Sequence, residues 1–205
     1  MRILFLGGNL AFELAEWLKN QGDDVVYTEQ KLDLNMVKEH KPDMIISYNY
    51  KYLLTSEIIK YPESGCINLH ISLLPWNRGA HPNVWSFLED TPKGVTIHYI
   101  DEGIDTGNII IQKEIFIDEN KETLQSSYKI LHREIQALFK ENWKKIKNNE
   151  LIPQPQEAGG SIHFKKEFAM FEPFIKQKGW NIPVRQFKER YNSNLKLNTD
   201  PYDIE

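Results

Sequence analysis

RILFLGGNLAFELAEWLKNQGDDVVY, residues 2–27, opens with an apolar run of strand length that closes on Gly7-Gly8-Asn9 and then changes period. Leu10, Leu14, Trp17 and Leu18 fall at helical spacing before Gly22, and DVVY at 24–27 returns to strand character. Strand, tight turn, helix, strand is the repeating unit of a parallel sheet with right-handed crossovers. The alternation continues outward: DLNMVKEH (33–40) predicts a short helix, DMIISY (43–48) a third strand, residues 55–60 a short helical stretch, and CINLHIS (66–72) a fourth strand. GVTIHYI (94–100) follows the turn signal Thr91-Pro92-Lys93-Gly94, and NIIIQKEIFI (108–117) extends the strand-rich middle. From about Glu122 to Asn149, Leu124, Tyr128, Leu131, Ile135, Leu138 and Ile146 form an apolar stripe on a charged segment, the pattern of a long helix covering a sheet. LIPQPQEAGG (151–160) breaks that pattern, and the residues after it read as irregular with one helix near Val184–Tyr191. The expectation is an α/β fold with a mostly parallel sheet flanked by helices. Residues 1–150 form the main unit and residues 151–205 a short C-terminal extension that is not an independent domain.

Composition narrows the function classes. With 205 residues, 40% hydrophobic and 12% aromatic, the chain can bury a substantial core. A formal charge of -4 provides no basic field, so nucleic acid is not an expected partner. Cys66 is the single cysteine, within an apolar strand; it excludes an internal disulfide, reads as an inert core thiol, and fits a reducing, cytoplasmic setting. MRILFLGG is too short for a signal-peptide core or a membrane span, so no membrane association is expected. The GGN turn lacks the third glycine of a dinucleotide fingerprint. A helix starting there exposes backbone N–H groups to an anion, with Asn9 as cap or ligand, and a plain strand-to-helix turn is an equal reading.

The stretch CINLHISLLPWNRGAHP (66–82) carries the chemistry. A strand here sends Ile67, Leu69 and Ile71 to one face and Asn68, His70 and Ser72 to the other. An amide and an imidazole two apart on one face can converge on a single small oxygen, the amide as neutral donor and the imidazole as donor or proton carrier. IDEGIDTGNI (100–109) sets acidic residues and two glycines just past another strand. Ligands of open parallel sheets bind at the carboxyl ends of strands, where the two loops can meet, and a carboxylate there can orient the imidazole and favour its protonated form.

INLHISLLPWNRGAHP followed by GVTIHYIDEGIDTGNII resembles the 10-formyltetrahydrofolate-dependent formyltransferase domain. That domain is found in methionyl-tRNA formyltransferase, phosphoribosylglycinamide formyltransferase and the sugar N-formyltransferases. The resemblance covers roughly residues 1–150 and implies the Rossmann-like formyltransferase fold. It places the family's catalytic Asn, His and Asp on Asn68, His70 and Asp105. It places the folate pocket, which holds a pterin largely by main-chain groups, on Tyr52, Leu53 and Leu54 and on the loop of Asp101, Glu102, Gly103, Ile104 and Asp105. The implied co-substrate is 10-formyltetrahydrofolate. Asn68 and His70 then stabilise the charge that grows on the formyl oxygen, and Asp105 holds His70 charged and helps move the amine's proton. No metal is expected, since the six histidines and one cysteine show no metal-ligand spacing, and His98 reads as a packed or supporting histidine.

Three acceptor classes follow from the resemblance. Methionyl-tRNA enzymes carry a sizeable C-terminal domain that grips RNA; little chain follows residue 150 here, and the net charge is wrong for it. Glycinamide-ribotide enzymes differ at the positions of GGNLAFE and NRGAHPNVW. RGAHPNVWSF (78–87) and GGSIHFKKEF (159–168) look like segments of the sugar N-formyltransferases, which implies a dTDP- or UDP-linked amino-deoxyhexose acceptor of the kind used for O-antigen or other cell-surface polysaccharides. Such a substrate needs cations for its pyrophosphate and flat surfaces for base and hexose. The candidates are Lys51, Arg78, Lys165 and Lys166 for charge, and Tyr50, Trp76, Trp85 and Phe164 for stacking, with Asn9 and His81 as further contacts. A formyl-folate hydrolase and a non-catalytic binder remain as other readings. In the tail, Trp180, Phe187 and Tyr191 either pack back on the body or meet a second subunit in a homodimer.

Overall fold

A computed structural model describes residues 1–198 of the chain, with side chains through Ser193; the last seven residues of the expected extension lie outside the described residues. β1 (Arg2–Gly7), α1 (Asn9–Asn20), β2 (Asp24–Thr28), α2 (Leu34–His40), β3 (Met44–Tyr48), α3 (Ser56–Ile59) and β4 (Cys66–His70) alternate as the sequence predicts. A two-residue strand β5 (Arg78–Gly79) and α4 (Pro82–Leu88) precede β6 (Gly94–Tyr99), β7 (Ile109–Glu114) and the long α5 (Leu124–Lys147). The main sheet has the order β2-β1-β3-β4-β6-β7. Its first four strands are parallel, while β4–β6 and β6–β7 are antiparallel. The fold is therefore a mixed α/β, Rossmann-like one with a mostly parallel sheet.

The core explains the layers. β3 lies in the centre of the sheet and all five of its residues are buried, so Met-Ile-Ile-Ser-Tyr reads as an almost continuous apolar run. Met44, Ile46 and Tyr48 face one side with Phe5, Ile67 and Leu69, under Leu14 and Leu18 of α1 and Ile135 and Phe139 of α5. Leu4, Leu6, Ile45 and Cys66 face the other side against Val37 and Ile58. Burial pushes the Cys66 thiol up to about 12, which keeps it protonated and unreactive. α5 begins on a capping box in which the Thr123 and Ser126 side chains each accept the other's backbone N–H, and it buries Leu124, Leu131, Ile135, Leu138 and Ile146 as its stripe predicts.

Three expectations are corrected. In α1, Leu10 is exposed and Ala11 and Ala15 take the buried positions beside Leu14 and Leu18. The cause is a close approach: a Cβ on Gly7 would lie 2.3 Å from both the Ala11 Cβ and the Tyr48 carbonyl, so only small residues fit where helix meets sheet. β4 ends at His70 rather than Ser72, whose hydroxyl turns to donate to the Trp76 carbonyl at 2.8 Å. The region after residue 150 is not mainly irregular: β8 (Ile162–His163) pairs parallel with β5, a 3-10 helix spans Lys165–Phe171, and α6 (Glu172–Lys178) and α7 (Val184–Asn198) follow. Phe168, Phe171, Ile175, Val184 and Phe187 join the α5-side core, Tyr191 packs against it, and Trp180 stays 42% exposed. Among the described residues, no helix is long and apolar enough to cross a membrane.

Candidate active site

Asn68 and His70 project from β4 on the face opposite Ile67 and Leu69, as the twofold period requires. Asp105 arrives differently from the expectation. β6 is antiparallel to β4, so its carboxyl end lies at the far end of the sheet from the end of β4. The segment after β6 therefore folds back to bring Asp105 beside Asn68 and His70. Asp101 organises that return, its Oδ1 accepting from the Gly103 amide at 3.0 Å and from the Thr106 hydroxyl at 2.6 Å. Gln156, from the segment that breaks the helical pattern, braces it by donating to the carbonyls of Asp105 at 2.7 Å and Gly107 at 2.9 Å.

The resulting cluster is tight. Asn68 Nδ2 donates to Asp105 Oδ1 at 3.1 Å, and the Gly79 amide donates to Asp105 Oδ2 at 2.8 Å. His98, the direct cross-strand partner of Asn68, places Nε2 3.3 Å from Asp105 Oδ1 and 3.4 Å from Asn68 Nδ2. His70 lies with Nε2 3.1 Å from the Asn77 carbonyl and Nδ1 3.6 Å from Asp105 Oδ2. Burial by itself raises the Asp105 pKa, but the His70 and His98 rings and the Gly79 amide outweigh it and hold this carboxyl well below the usual range. Asp105 is an anion.

His70 behaves oppositely to the expectation that Asp105 keeps it charged. Its burial outweighs the attraction of Asp105, and neighbouring His98 adds to the lowering, so its pKa falls below the ordinary imidazole value. The resting ring is neutral, with Nε2–H on the Asn77 carbonyl and a bare Nδ1 facing the carboxylate at a distance too long for a hydrogen bond. That is a proton acceptor beside a fixed anion.

The cluster forms part of the wall of a cleft of about 690 Å³. Tyr52, Leu53, Leu54, Gly103, Ile104 and Asp105 line it, whereas Asp101 and Glu102 do not; Glu102 is exposed and paired with Lys60. Of the residues expected to meet the acceptor, Lys51 and His81 line the cleft. Asn9, Trp76 and Arg78 do not, and Arg78 donates from Nε and Nη2 to Gln156 Oε1 at 3.0 and 2.8 Å, which commits its guanidinium to the brace. Tyr50, Phe164 and Lys165 also line the cleft; Lys166 does not. Trp85 is buried and stacked on His163 at 4.1 Å, so it is no platform for a ligand. Tyr128 and His132 of α5 also line the cleft and escaped the sequence reading, because both sit on the stripe of a covering helix where an aromatic residue reads as core. Among the described residues, no group of three or more His, Cys, Asp and Glu side chains is arranged to hold a metal ion.

Comparison with known proteins gives four matches. The family model described as formyl transferase matches residues 20–142, more than half of the chain. A solved structure of the formyltransferase PseJ from Anoxybacillus kamchatkensis, in complex with UDP-4,6-dideoxy-4-formamido-L-AltNAc and tetrahydrofolate, is similar with a TM-score of 0.83 and 43% identity, covering 90% of this chain and 96% of that one. A 4-N formyltransferase from Francisella tularensis shares the fold with a TM-score of 0.70 at 24% identity, over 82% of this chain and 77% of that one. In sequence, a methionyl-tRNA formyltransferase of Thermodesulfovibrio yellowstonii is 40% identical over 164 residues, which are 77% of this chain and 51% of that protein. The chain spans about half the length of the curated relatives it matches.

Proposed function

The chain belongs to the formyl transferase family, and from that premise we propose that it transfers the formyl group of 10-formyltetrahydrofolate to the amine of a UDP- or dTDP-linked amino-deoxyhexose. The observation that carries this reading is His70 held between the Asp105 carboxyl and the Asn77 carbonyl, with Asn68 beside it, on the wall of a cleft of ligand size. In this reading Leu54 and Ile104 offer the folate an apolar wall next to the cluster.

The residues divide the work as follows. As the amine nitrogen bonds to the formyl carbon, the carbonyl electron pair moves onto oxygen, and Asn68 Nδ2 turns from Asp105 to donate to it. His70 Nδ1 accepts the proton released by the amine. The imidazolium so formed is stabilised by the Asp105 carboxylate 3.6 Å away and returns the proton to the departing folate nitrogen as the old carbon–nitrogen bond breaks. With Arg78 occupied by Gln156, Lys51 and Lys165 are the cleft cations we assign to the pyrophosphate. The product class feeds glycosyl transfer in cell-surface polysaccharide assembly, and we place the reaction in the cytoplasm, where the buried Cys66 thiol stays reduced.

A second reading, formylation of methionyl-tRNA, is favoured by the curated relatives. We rank it lower because PseJ, whose structure holds a formamido sugar nucleotide, is matched along 96% of its length, and because a net charge of -4 gives little attraction to an RNA backbone. Supplying the protein with 10-formyltetrahydrofolate and, separately, amino-sugar nucleotides or charged initiator tRNA distinguishes them. Formamido-sugar product is expected with the former, and formylated methionyl-tRNA alone would overturn the sugar assignment.

A further inference from the structure

Behind the cleft, β3 and α5 are joined by a three-residue chain of hydrogen bonds. Gln136 Nε2 donates to the Tyr48 phenol at 3.2 Å, and the same phenol oxygen lies 2.6 Å from His132 Nδ1. An amide nitrogen has only hydrogens to offer, and among the described residues His132 Nδ1 is the one acceptor in reach of the fully buried phenol, so its hydrogen points to His132. Nδ1 is therefore the accepting nitrogen, and the ring carries its proton on Nε2. Burial keeps the ring neutral, with its pKa lowered to about 4, and pushes the Tyr48 phenol up to about 12, so neither group ionises near neutral pH. The tautomer is locked.

The locked donor is unused. His132 is 6% exposed, and its Nε2 has no hydrogen-bond partner among the described residues, a costly arrangement for a buried polar atom. The ring lines the cleft together with Tyr128, which packs against it at 4.1 Å, and with Ile71, His81 and Pro82. Ile71 and Tyr128 belong to the α5-side core, whereas Leu54 and Ile100, beside the expected folate pocket, pack with the opposite core. The cleft thus runs from one face of the sheet to the other across Asn68 and His70. The end under α5 remains for the molecule that brings the amine.

We propose that His132 is an acceptor-substrate residue: its Nε2–H donates to an oxygen of the amino sugar, a hydroxyl or amide carbonyl, with Tyr48 and Gln136 acting as positioning residues that hold the tautomer. The inference rests on the sugar reading above and names the group that recognises the sugar.

Steady-state kinetics of the full chain against a panel of UDP- and dTDP-linked amino-deoxyhexoses, with each substrate varied at saturating partner, tests it. His132→Phe keeps a flat ring and removes the donor; the acceptor KM is expected to rise ~10–100-fold with the folate KM unchanged. His132→Gln restores an N–H and is expected to recover part of that loss. Tyr48→Phe leaves the imidazole but frees its tautomer, giving a smaller rise in acceptor KM and a mixed tautomer in the ring-nitrogen NMR signals, where the parent protein shows Nε2–H alone. An unchanged acceptor KM in a folded His132→Phe, or an equal rise in the folate KM, overturns the inference while leaving the sugar reading in place. If His132→Phe does not fold, an unchanged acceptor KM in Tyr48→Phe overturns it. Absence of turnover by the parent protein on every amino-sugar nucleotide overturns both.

Discussion

Asp105 receives an amide hydrogen from Gly79 and one from Asn68 and faces two imidazoles, and this crowding sets the chemistry of its neighbours. Removing the Asn68 donor deletes one contact to the developing oxyanion, so Asn68→Ala is expected to lower kcat about 10²-fold with little change in folate affinity, measured by initial rates and titration. Asp105→Asn is expected to cost at least as much, because a neutral amide does not stabilise the imidazolium. Acid should weaken the fold through the buried histidines. His132 has a folded pKa of about 4, below its unfolded value of ~6.5, so the unfolded chain binds more protons in that window and stability falls as pH drops from ~6.5 toward 4. Its share is on the order of 2–3 kcal/mol at the low end. Urea midpoints measured across this range are expected to fall with pH, and less steeply in His132→Phe. The downward shift of His70 acts in the same direction, and Asp105 adds loss only at lower pH, as its carboxylate is protonated.

At the level of elements, the alternating pattern of β4 made Asn68 and His70 legible, since a period of two assigns faces without any knowledge of neighbours. Strand direction is not carried by that period. GVTIHYI scores as a strand in either orientation, so the antiparallel placement of β6, and with it the folding back of the Asp105 segment, could not be read from the sequence. The brace was hidden for a similar reason: Gln156 sits in a Pro- and Gly-rich break, and only the folded chain brings it to Asp105 and Arg78. Gln156→Ala should therefore loosen the Asp105 segment while barely touching the core, with a ~10-fold lower kcat and a small change in melting temperature. Gly79→Ala is expected to be more damaging. Gly79 has φ +84, and a Cβ would lie 2.3 Å from the His163 carbonyl, so the substitution strains β5, parts it from β8 and moves the amide that holds Asp105. Activity loss in that variant with restored binding of Asp105 to another donor would contradict this account.

For the whole molecule, the N-terminus and the end of α5 meet on one buried carboxylate, and the segment from Phe168 to Phe187 packs into the α5-side core. Asp23 accepts from Trp143 Nε1 at 2.8 Å, from Lys147 Nζ at 2.5 Å and from the N-terminal ammonium at 3.2 Å, and these contacts overcome its burial to lower its pKa. Asp23→Ala leaves two cations and an indole N–H without a partner and is expected to cost about 2–4 kcal/mol in urea unfolding. Phe168, Phe171 and Phe187 extend the α5-side core, and their burial was the least legible part of the fold, because short helices with few periodic positions give weak signals. Removing residues 151–205 should expose that core and take away Gln156 and His163 together, giving an aggregation-prone and inactive chain.

The most direct measurement is single-turnover transfer from 10-formyltetrahydrofolate in the presence and absence of UDP- and dTDP-linked amino-deoxyhexoses, for the parent protein and for His70→Ala. The account predicts tetrahydrofolate release only when an amino-sugar nucleotide is present, formamido sugar formed in equal amount, and near-complete loss in His70→Ala. Formate release without an acceptor, or transfer that survives loss of the imidazole, would contradict it.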